Sequence, residues 1–137
     1  MENLNQIKKT FINQSLNVFK ALYENKEINK YFTSFYYTLS KKFITLQPVY
    51  SIDLTVKYTN KYYSQLMNFD EDFYNSLNVD DIFKDMNNDD DKYYKDWFDK
   101  IKSVWFDIDF EERKHIIQLI QCMVMTASKY FIIANNS

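Results

Sequence analysis

Oxygen-bearing side chains recur at regular intervals in the stretch DMNNDDDKYYKD, which runs from Asp85 to Asp96. Counted from Asp85, they occupy positions 1, 3, 5, 7 and 12, which are ligand positions of a helix–loop–helix calcium site. The candidate metal ligands are Asp85, Asn87, Asp89, Asp91 and Asp96. This spacing predicts a cation-responsive loop as one function of the segment.

Three positions of this loop depart from the calcium-binding pattern. Asp90 stands where Gly makes the sharp turn, and Lys92 stands where an apolar residue normally joins the loop to the core. Asp96 is one methylene shorter than the usual bidentate Glu. We therefore favour a solvated connector whose acids complement the N-terminus of a helix that begins at KYYKDW. Cation binding is the alternative.

The composition excludes several classes of catalytic and nucleotide-binding site. Gly is absent, although phosphate-binding loops, dinucleotide-binding turns and nucleophile elbows all require it. His115 and Cys122 are single, so one chain cannot build a multi-His or multi-Cys zinc cluster. Glu111 precedes His115 by four residues and could pair with it, but the spacing places no nucleophile beside them. We predict that the protein is not an enzyme and has no cofactor.

The C-terminal apolar run bears on packing and location. Cys122 cannot form an intrachain disulfide, which favours a reducing intracellular compartment. It falls within the apolar run, so we expect it to pack as a small hydrophobe. Residues 116–134 approach the length of a membrane span, but four polar side chains interrupt them. We expect a largely buried helix and no membrane partner.

Apolar residues at three- and four-residue steps predict helices throughout the first 46 residues. The first 25 residues form one amphipathic pattern, and a second begins at Lys26 and ends before Pro48. A tight hairpin between them is preferred to one bent helix. The apolar set of the second helix, which we expect to point inward, comprises Ile28, Phe32, Phe35, Leu39, Phe43 and Leu46.

The middle of the chain contains shorter elements. Ser51 is a candidate N-cap for a third helix. The β-branched and aromatic residues over 49–58 leave a strand open as the alternative. Two further short apolar patterns follow Asp70 and the pair Asp80–Asp81. Since acids in a first turn complement the helix dipole, we predict a short helix at each.

The last third contains the most regular patterns. An aromatic stripe from Trp97 to Trp105 predicts one helix, and Asp109 with Glu112 form a capping box before another over 110–134. We place these two helices at the centre of the fold. The prediction is an all-α protein, a single helical domain of residues 1–137, arranged as a compact bundle of five or six helices around the hydrophobic C-terminal helix.

Charge is unevenly distributed along the chain. Residues 1–66 carry nine Lys and four acids, a net charge of +5, whereas residues 70–112 have a net charge of −10. Lysines lie near tyrosines in the basic half, a combination that nucleic-acid-binding proteins use. The candidates are Lys41, Lys42, Lys57 and Lys61. A pI of about 5.4 and a single Arg oppose this function, which is kept as the alternative.

Adjacent aromatic residues give the strongest indication of function. The chain has twelve Tyr, twelve Phe and two Trp. Neighbouring residues on a helix point about 100° apart, so both members of a pair cannot readily be buried. Partly exposed Tyr is common at protein interfaces. We therefore predict binding of a protein partner or self-association, with the candidate contact residues Tyr36, Tyr37, Tyr62, Tyr63 and Tyr94.

The C-terminal third resembles a known group of proteins. Trp97–Trp105 precedes FDIDFEERKHIIQLIQCMVMTASKY, so that an aromatic helix, an acidic turn and a long aliphatic helix follow one another. This order resembles small helical proteins of nucleocytoplasmic large DNA viruses. The Asn-, Lys- and Tyr-rich composition is similar to mimivirus-like coding sequences, and AT-rich protists and phages share it. The resemblance implies a virion component or host-factor binder and carries over no catalytic residue.

Overall fold

The computed structural model describes residues 3–76 and 91–136, with the backbone alone for residues 91–94 and 97. Helices account for nearly all of this part of the chain, and it contains no β-strand. The helices are α1 (Leu4–Glu24), α2 (Ser34–Leu46), α3 (Pro48–Thr59), α4 (Tyr63–Met67), α5 (Glu71–Ser76), α6 (Asp91–Val104) and α7 (Phe110–Asn135). Single 3-10 turns at Asn60–Tyr62 and Trp105–Asp107 precede α4 and follow α6. The prediction of an all-α bundle is confirmed.

The bundle is organised around α1 and α7, which make the most extensive contact between any two described helices. α3 packs on α7, and α2 packs on α1. Val18 and Leu22 of α1 meet Ile116, Ile117 and Val124 of α7 in the larger core cluster. The prediction of a bundle around the C-terminal helix is thereby confirmed. The second central helix is α1 rather than the predicted α6. The 3-10 turn that follows α6 contributes Trp105 to the core.

The burial pattern of α1 follows directly from its sequence. The Asn3 Oδ1 accepts a hydrogen bond from the Gln6 backbone N–H at 2.9 Å and begins the helix. Buried positions recur at three- and four-residue steps, as expected for one face of an α-helix. They are Ile7, Phe11, Ser15, Val18 and Leu22. Ser15 is tolerated in the core because its Oγ donates to the Phe11 carbonyl at 2.8 Å.

A folded connection of nine residues separates α1 from α2, so the second helix begins eight residues later than predicted. Asn25 Oδ1 accepts hydrogen bonds from the backbone N–H groups of Glu27, at 3.0 Å, and Ile28, at 3.1 Å. This side chain replaces the hydrogen bonds that a continuing helix would make. Ile28 and Phe32 are buried in the connection. One bent helix is therefore excluded, but the nine-residue connection is longer than the tight hairpin that was predicted.

Residues 49–58 are helical, and the alternative of a strand is excluded. Pro48 is the first residue of α3, the position at which a missing N–H costs least. Ser51 was predicted to be the N-cap, and this is wrong. It lies within the first turn of the helix, buried, and its Oγ donates to the Gln47 carbonyl at 2.7 Å. A Ser hydroxyl can hydrogen-bond the backbone from a position inside a helix as well as from the N-cap position.

Asp70 begins a short helix, as predicted, and accepts a hydrogen bond from the Phe73 N–H at 3.2 Å. The preceding Phe69 has φ of 46°, in the left-handed region that usually requires Gly. This chain has no Gly to supply. The Phe69 ring packs on Tyr74 and Phe110, and these contacts offset the backbone strain.

The start of α7 was predicted correctly, but the capping box does not form. Asp109 precedes the helix without a side-chain capping bond. Glu112 instead accepts a hydrogen bond from the Asn25 Nδ2 at 2.7 Å, which ties the end of α1 to the start of α7. The predicted helix at Asp80–Asp81 lies outside the described residues.

Candidate interaction surface

The exposed side of α2 carries several large apolar side chains. Phe35, Leu39 and Leu46 are 67%, 51% and 75% exposed. Val49 and Tyr50, at the start of α3, are 41% and 54% exposed. Phe43 joins the two groups, since its ring packs edge-on against Tyr50 with 6.0 Å between centroids. We call this set, Phe35, Leu39, Phe43, Leu46, Val49 and Tyr50, the α2 surface.

The sequence prediction that Phe35, Leu39 and Leu46 point inward is wrong. α2 is apolar on both sides, and the described helices that contact it, α1 and α3, lie on one side only. Ile44 and Tyr37 take the inner side, where Ile44 is buried and Tyr37 stacks on Tyr23 with 4.6 Å between ring centroids. The apolar residues that recur at four-residue steps from Phe35 therefore lie on the side of α2 that faces away from α1 and α3. A helix with two apolar sides does not reveal from its own pattern which side is buried.

The tyrosines predicted to bind a partner are half-buried where the structure describes their side chains. Tyr36, Tyr37 and Tyr63 pack against the larger core cluster. Tyr62 contacts the Phe73 ring, with 5.6 Å between centroids. The Tyr94 side chain lies outside the described atoms. The structure therefore brings these residues toward the core, and the more exposed Tyr50 and Phe35 were not among the predicted contacts.

Three of the four lysines of the nucleic-acid prediction lie beside tyrosine rings. Lys41 Nζ is 4.1 Å from the centroid of Tyr37, within the distance of a cation–π contact. Two longer contacts, of 5.3 and 5.4 Å, pair Lys57 with Tyr58 and Lys61 with Tyr62. Lys42 is exposed on the outer side of α2. Each contact joins residues close in sequence, as on an ordinary helix exterior, and nucleic-acid binding stays a prediction.

The predicted cation loop falls largely on residues that the structure does not describe, including Asp85, Asn87 and Asp89. Asp91 is the first residue of α6, and Asp96 lies within that helix. Residues 91–104 are helical, as KYYKDW predicted. Among the described residues, no group of three His, Cys, Asp or Glu side chains is arranged to hold a metal ion. Cation binding at the loop stays a prediction.

An acidic groove of about 860 Å³ is lined by the C-terminal part of α1 and the N-terminal part of α7. Its carboxylates are Glu24, Glu27, Asp107, Asp109, Glu111 and Glu112. His115 lines the same groove one helical turn after Glu111, and both are exposed. Glu112 already bonds Asn25, Glu27 pairs with Lys30, and the other carboxylates are exposed, so the groove has the character of a charged surface.

Arg113 forms a charged cluster that the sequence analysis did not identify. Its guanidinium pairs with Glu71 of α5, with 2.8 Å between Nη2 and Oε1, and its Nη1 donates to the Ile108 carbonyl. The Phe106 and Phe110 rings flank it, with centroids 5.2 and 5.7 Å from Cζ. The sequence offered one signal for this cluster, since Arg113 is the single Arg beside sixteen Lys. Arg is better suited than Lys to bidentate pairing and to stacking on aromatic rings.

The exposed residues of α7 differ from the sequence prediction. Cys122 is exposed, so it does not pack as a buried hydrophobe. Met125 and Ile132 are 53% and 58% exposed on the same helix. α7 is long and apolar enough to cross a membrane by length and composition, and 22% of its apolar stretch is buried. The expectation of a largely buried helix therefore holds for one face only.

Comparison with known protein families, with curated proteins and with solved structures gives no match to this chain. Its candidate function is therefore argued from its own residues.

Proposed function

We propose that this chain is a non-enzymatic interaction protein that contacts a protein partner, or another copy of itself, through the α2 surface. The observation that carries the proposal is the continuous exposure of large apolar side chains on α2 and at the start of α3. A typical monomer has its largest apolar patch at roughly 300–600 Å², and patches at or above that size mark binding sites.

The area of the α2 surface supports this proposal. The exposed fractions of Phe35, Leu39, Leu46, Val49 and Tyr50 amount to at most about 600 Å² when every residue is given about 200 Å² of surface in an extended chain, as for an aromatic side chain. Phe43 adds to this value. The surface therefore lies at the upper end of what a monomer exposes to water. Three of its residues, Phe35, Phe43 and Tyr50, are aromatic, the residue type enriched in interface cores.

The resemblance to small viral proteins gives this proposal a biological setting. Under that resemblance, the contact would join a virion component to its neighbours or a viral protein to a host factor. The half-buried tyrosines Tyr36 and Tyr37 lie on the same helix and would stiffen the surface through their contacts with the core. Their predicted role in binding then becomes an indirect one.

Affinity capture with matched variants tests the proposal. Tagged wild-type protein, Leu39→Glu and Met125→Glu are incubated with an extract of the source cells. Leu39 and Met125 are 51% and 53% exposed, so the two variants introduce the same charge at equally accessible sites on different helices. Circular dichroism establishes that all three proteins are folded.

We expect wild type and Met125→Glu to retain a stoichiometric protein partner that Leu39→Glu loses. Equal recovery by all three proteins, or recovery of neither a different protein nor the untagged chain, contradicts the proposal. Recovery of nucleic acid that is lost at high salt and after replacement of Lys41, Lys42, Lys57 and Lys61 would support the alternative function instead.

A further inference from the structure

We infer that the α2 surface is covered by the α2 surface of a second copy of this chain, in an antiparallel pair of α2 helices. This inference rests on the proposed function and identifies its partner. Two observations carry it: the area that two copies would bury, and the order of side-chain sizes along α2.

The buried area matches the lower limit for a stable dimer. Two α2 surfaces of about 600 Å² each would together remove about 1,200 Å² from water, and specific interfaces bury roughly 1,200–2,000 Å² in total. Phe43 and the stems of neighbouring side chains add to this area. Reaching the range requires the contact to cover both α2 surfaces in full.

The order of the side chains along α2 is self-complementary under two-fold symmetry. A two-fold axis between Ser40 and Lys41 places Phe35 level with Leu46 of the partner subunit. The same axis places Leu39 within one residue of the level of Phe43 of the partner subunit. Each aromatic ring then lies opposite a leucine, so large and smaller side chains alternate across the contact. A parallel pair would instead set rings against rings.

The residues around this row are compatible with the pairing. Val49 and Tyr50 extend the apolar surface past the C-terminal end of α2, where the N-terminal end of the partner's helix would lie. Lys41 is directed away from the row, since its Nζ lies over the Tyr37 ring. Lys42 is exposed and, under the same axis, lies level with Leu39 of the partner subunit, where its stem can cover apolar surface while the ammonium remains in water.

Sedimentation velocity over a protein concentration range from about 1 μM to about 1 mM tests the inference, since interfaces of this size begin to bind in the micromolar range. We expect wild type and Met125→Glu to form dimers with the same dissociation constant. Leu39→Glu is expected to weaken the dimer by at least about 100-fold, because symmetry places two charges in the centre of the contact.

Disulfide cross-linking tests the antiparallel arrangement. Single-cysteine proteins are made in a Cys122→Ser background, one with Leu39→Cys and one with Phe43→Cys. An antiparallel pair predicts that the mixture cross-links faster than either protein does with itself. Faster cross-linking of Leu39→Cys with itself would overturn the arrangement in favour of a parallel pair.

The outcomes separate this inference from the proposed function. A wild-type protein that stays monomeric up to about 1 mM, the weakest affinity of interest here, overturns the inference. If Leu39→Glu nevertheless loses a different protein in affinity capture, the proposed function stands without the self-pairing. A dimer that Met125→Glu disrupts and Leu39→Glu leaves intact overturns both.

Discussion

Replacing Arg113 should destabilise the fold more than any substitution of an exposed charge. The Arg113 and Glu71 side chains are 12% and 25% exposed, so the pair is largely shielded from water. Arg113→Ala would leave the Glu71 carboxylate without its partner and the Ile108 carbonyl without a donor. It would also remove the cation–π contacts with two phenylalanine rings.

The magnitude follows from the burial of the pair. Removing one partner of a buried ion pair costs roughly 3–5 kcal/mol, whereas exposed pairs contribute at most about 1 kcal/mol. The residual exposure of Glu71 allows some solvation after the substitution, so we expect a loss of about 3 kcal/mol at the low end of that range. Arg113→Lys keeps the charge but not the planar, two-pronged geometry, and should lose about half as much.

Urea unfolding followed by circular dichroism measures these losses. With a denaturant dependence of about 2 kcal/mol per molar urea, Arg113→Ala should lower the midpoint by about 1.5 M. Lys30→Ala is the matched control, because Lys30 pairs with Glu27 while its side chain is 60% exposed. A loss below about 1 kcal/mol for Arg113→Ala, equal to that of the control, would refute the reasoning that burial makes this pair important.

Three further predictions concern individual side chains. Burial, with smaller contributions from two nearby carboxylates, raises the pKa of Tyr74 to about 12. The folded state therefore holds this proton more tightly than the unfolded state, so the free energy of unfolding should fall by about 2–3 kcal/mol as the pH rises from about 10 to about 12. Urea unfolding across that pH range should show a smaller fall for Tyr74→Phe, and an equal fall would contradict the prediction. Asn25→Asp should destabilise the protein by about 1–3 kcal/mol at neutral pH, because a carboxylate would replace the amide that donates to Glu112. Part of that loss should be regained at acidic pH, where protonation removes the repulsion between the two carboxylates. Urea unfolding at neutral and acidic pH measures this, and a pH-independent loss would argue against carboxylate repulsion. Cys122 should react with a thiol reagent in the folded protein as fast as in urea, since it is exposed, and strong protection would show that another surface covers it.

Local patterns were sufficient to predict most helices of this fold. The steps of Ile7, Phe11 and Val18 identify the buried face of α1, and Asp109 marks the start of α7. These signals act over three or four residues, within reach of a single helical turn. The all-α architecture could therefore be predicted without knowledge of any contact between distant residues.

The candidate surface could not be predicted in the same way. Whether Phe35 or Tyr37 points inward depends on where α1 and α3 lie relative to α2, and the α2 sequence is apolar in both directions. The pairing of Arg113 with Glu71 spans 42 positions and has no local pattern. The Asn25 side chain bonds the connection after α1 and the distant Glu112 at once. The packing of distant segments determines which of these side chains are buried or paired, and the periodicity of the sequence carries no information about that packing.

Hydroxyl-radical footprinting of the side chains tests most directly the central claim that the α2 surface pairs with the α2 surface of a second copy. Oxidation is measured residue by residue in dilute and in concentrated protein, with Met125 as an exposed internal reference on α7. We predict that oxidation of Phe35, Leu39 and Tyr50 falls as the protein associates, while oxidation of Met125 stays constant. Unchanged oxidation of the α2 surface, or protection of Met125 instead, would contradict the claim.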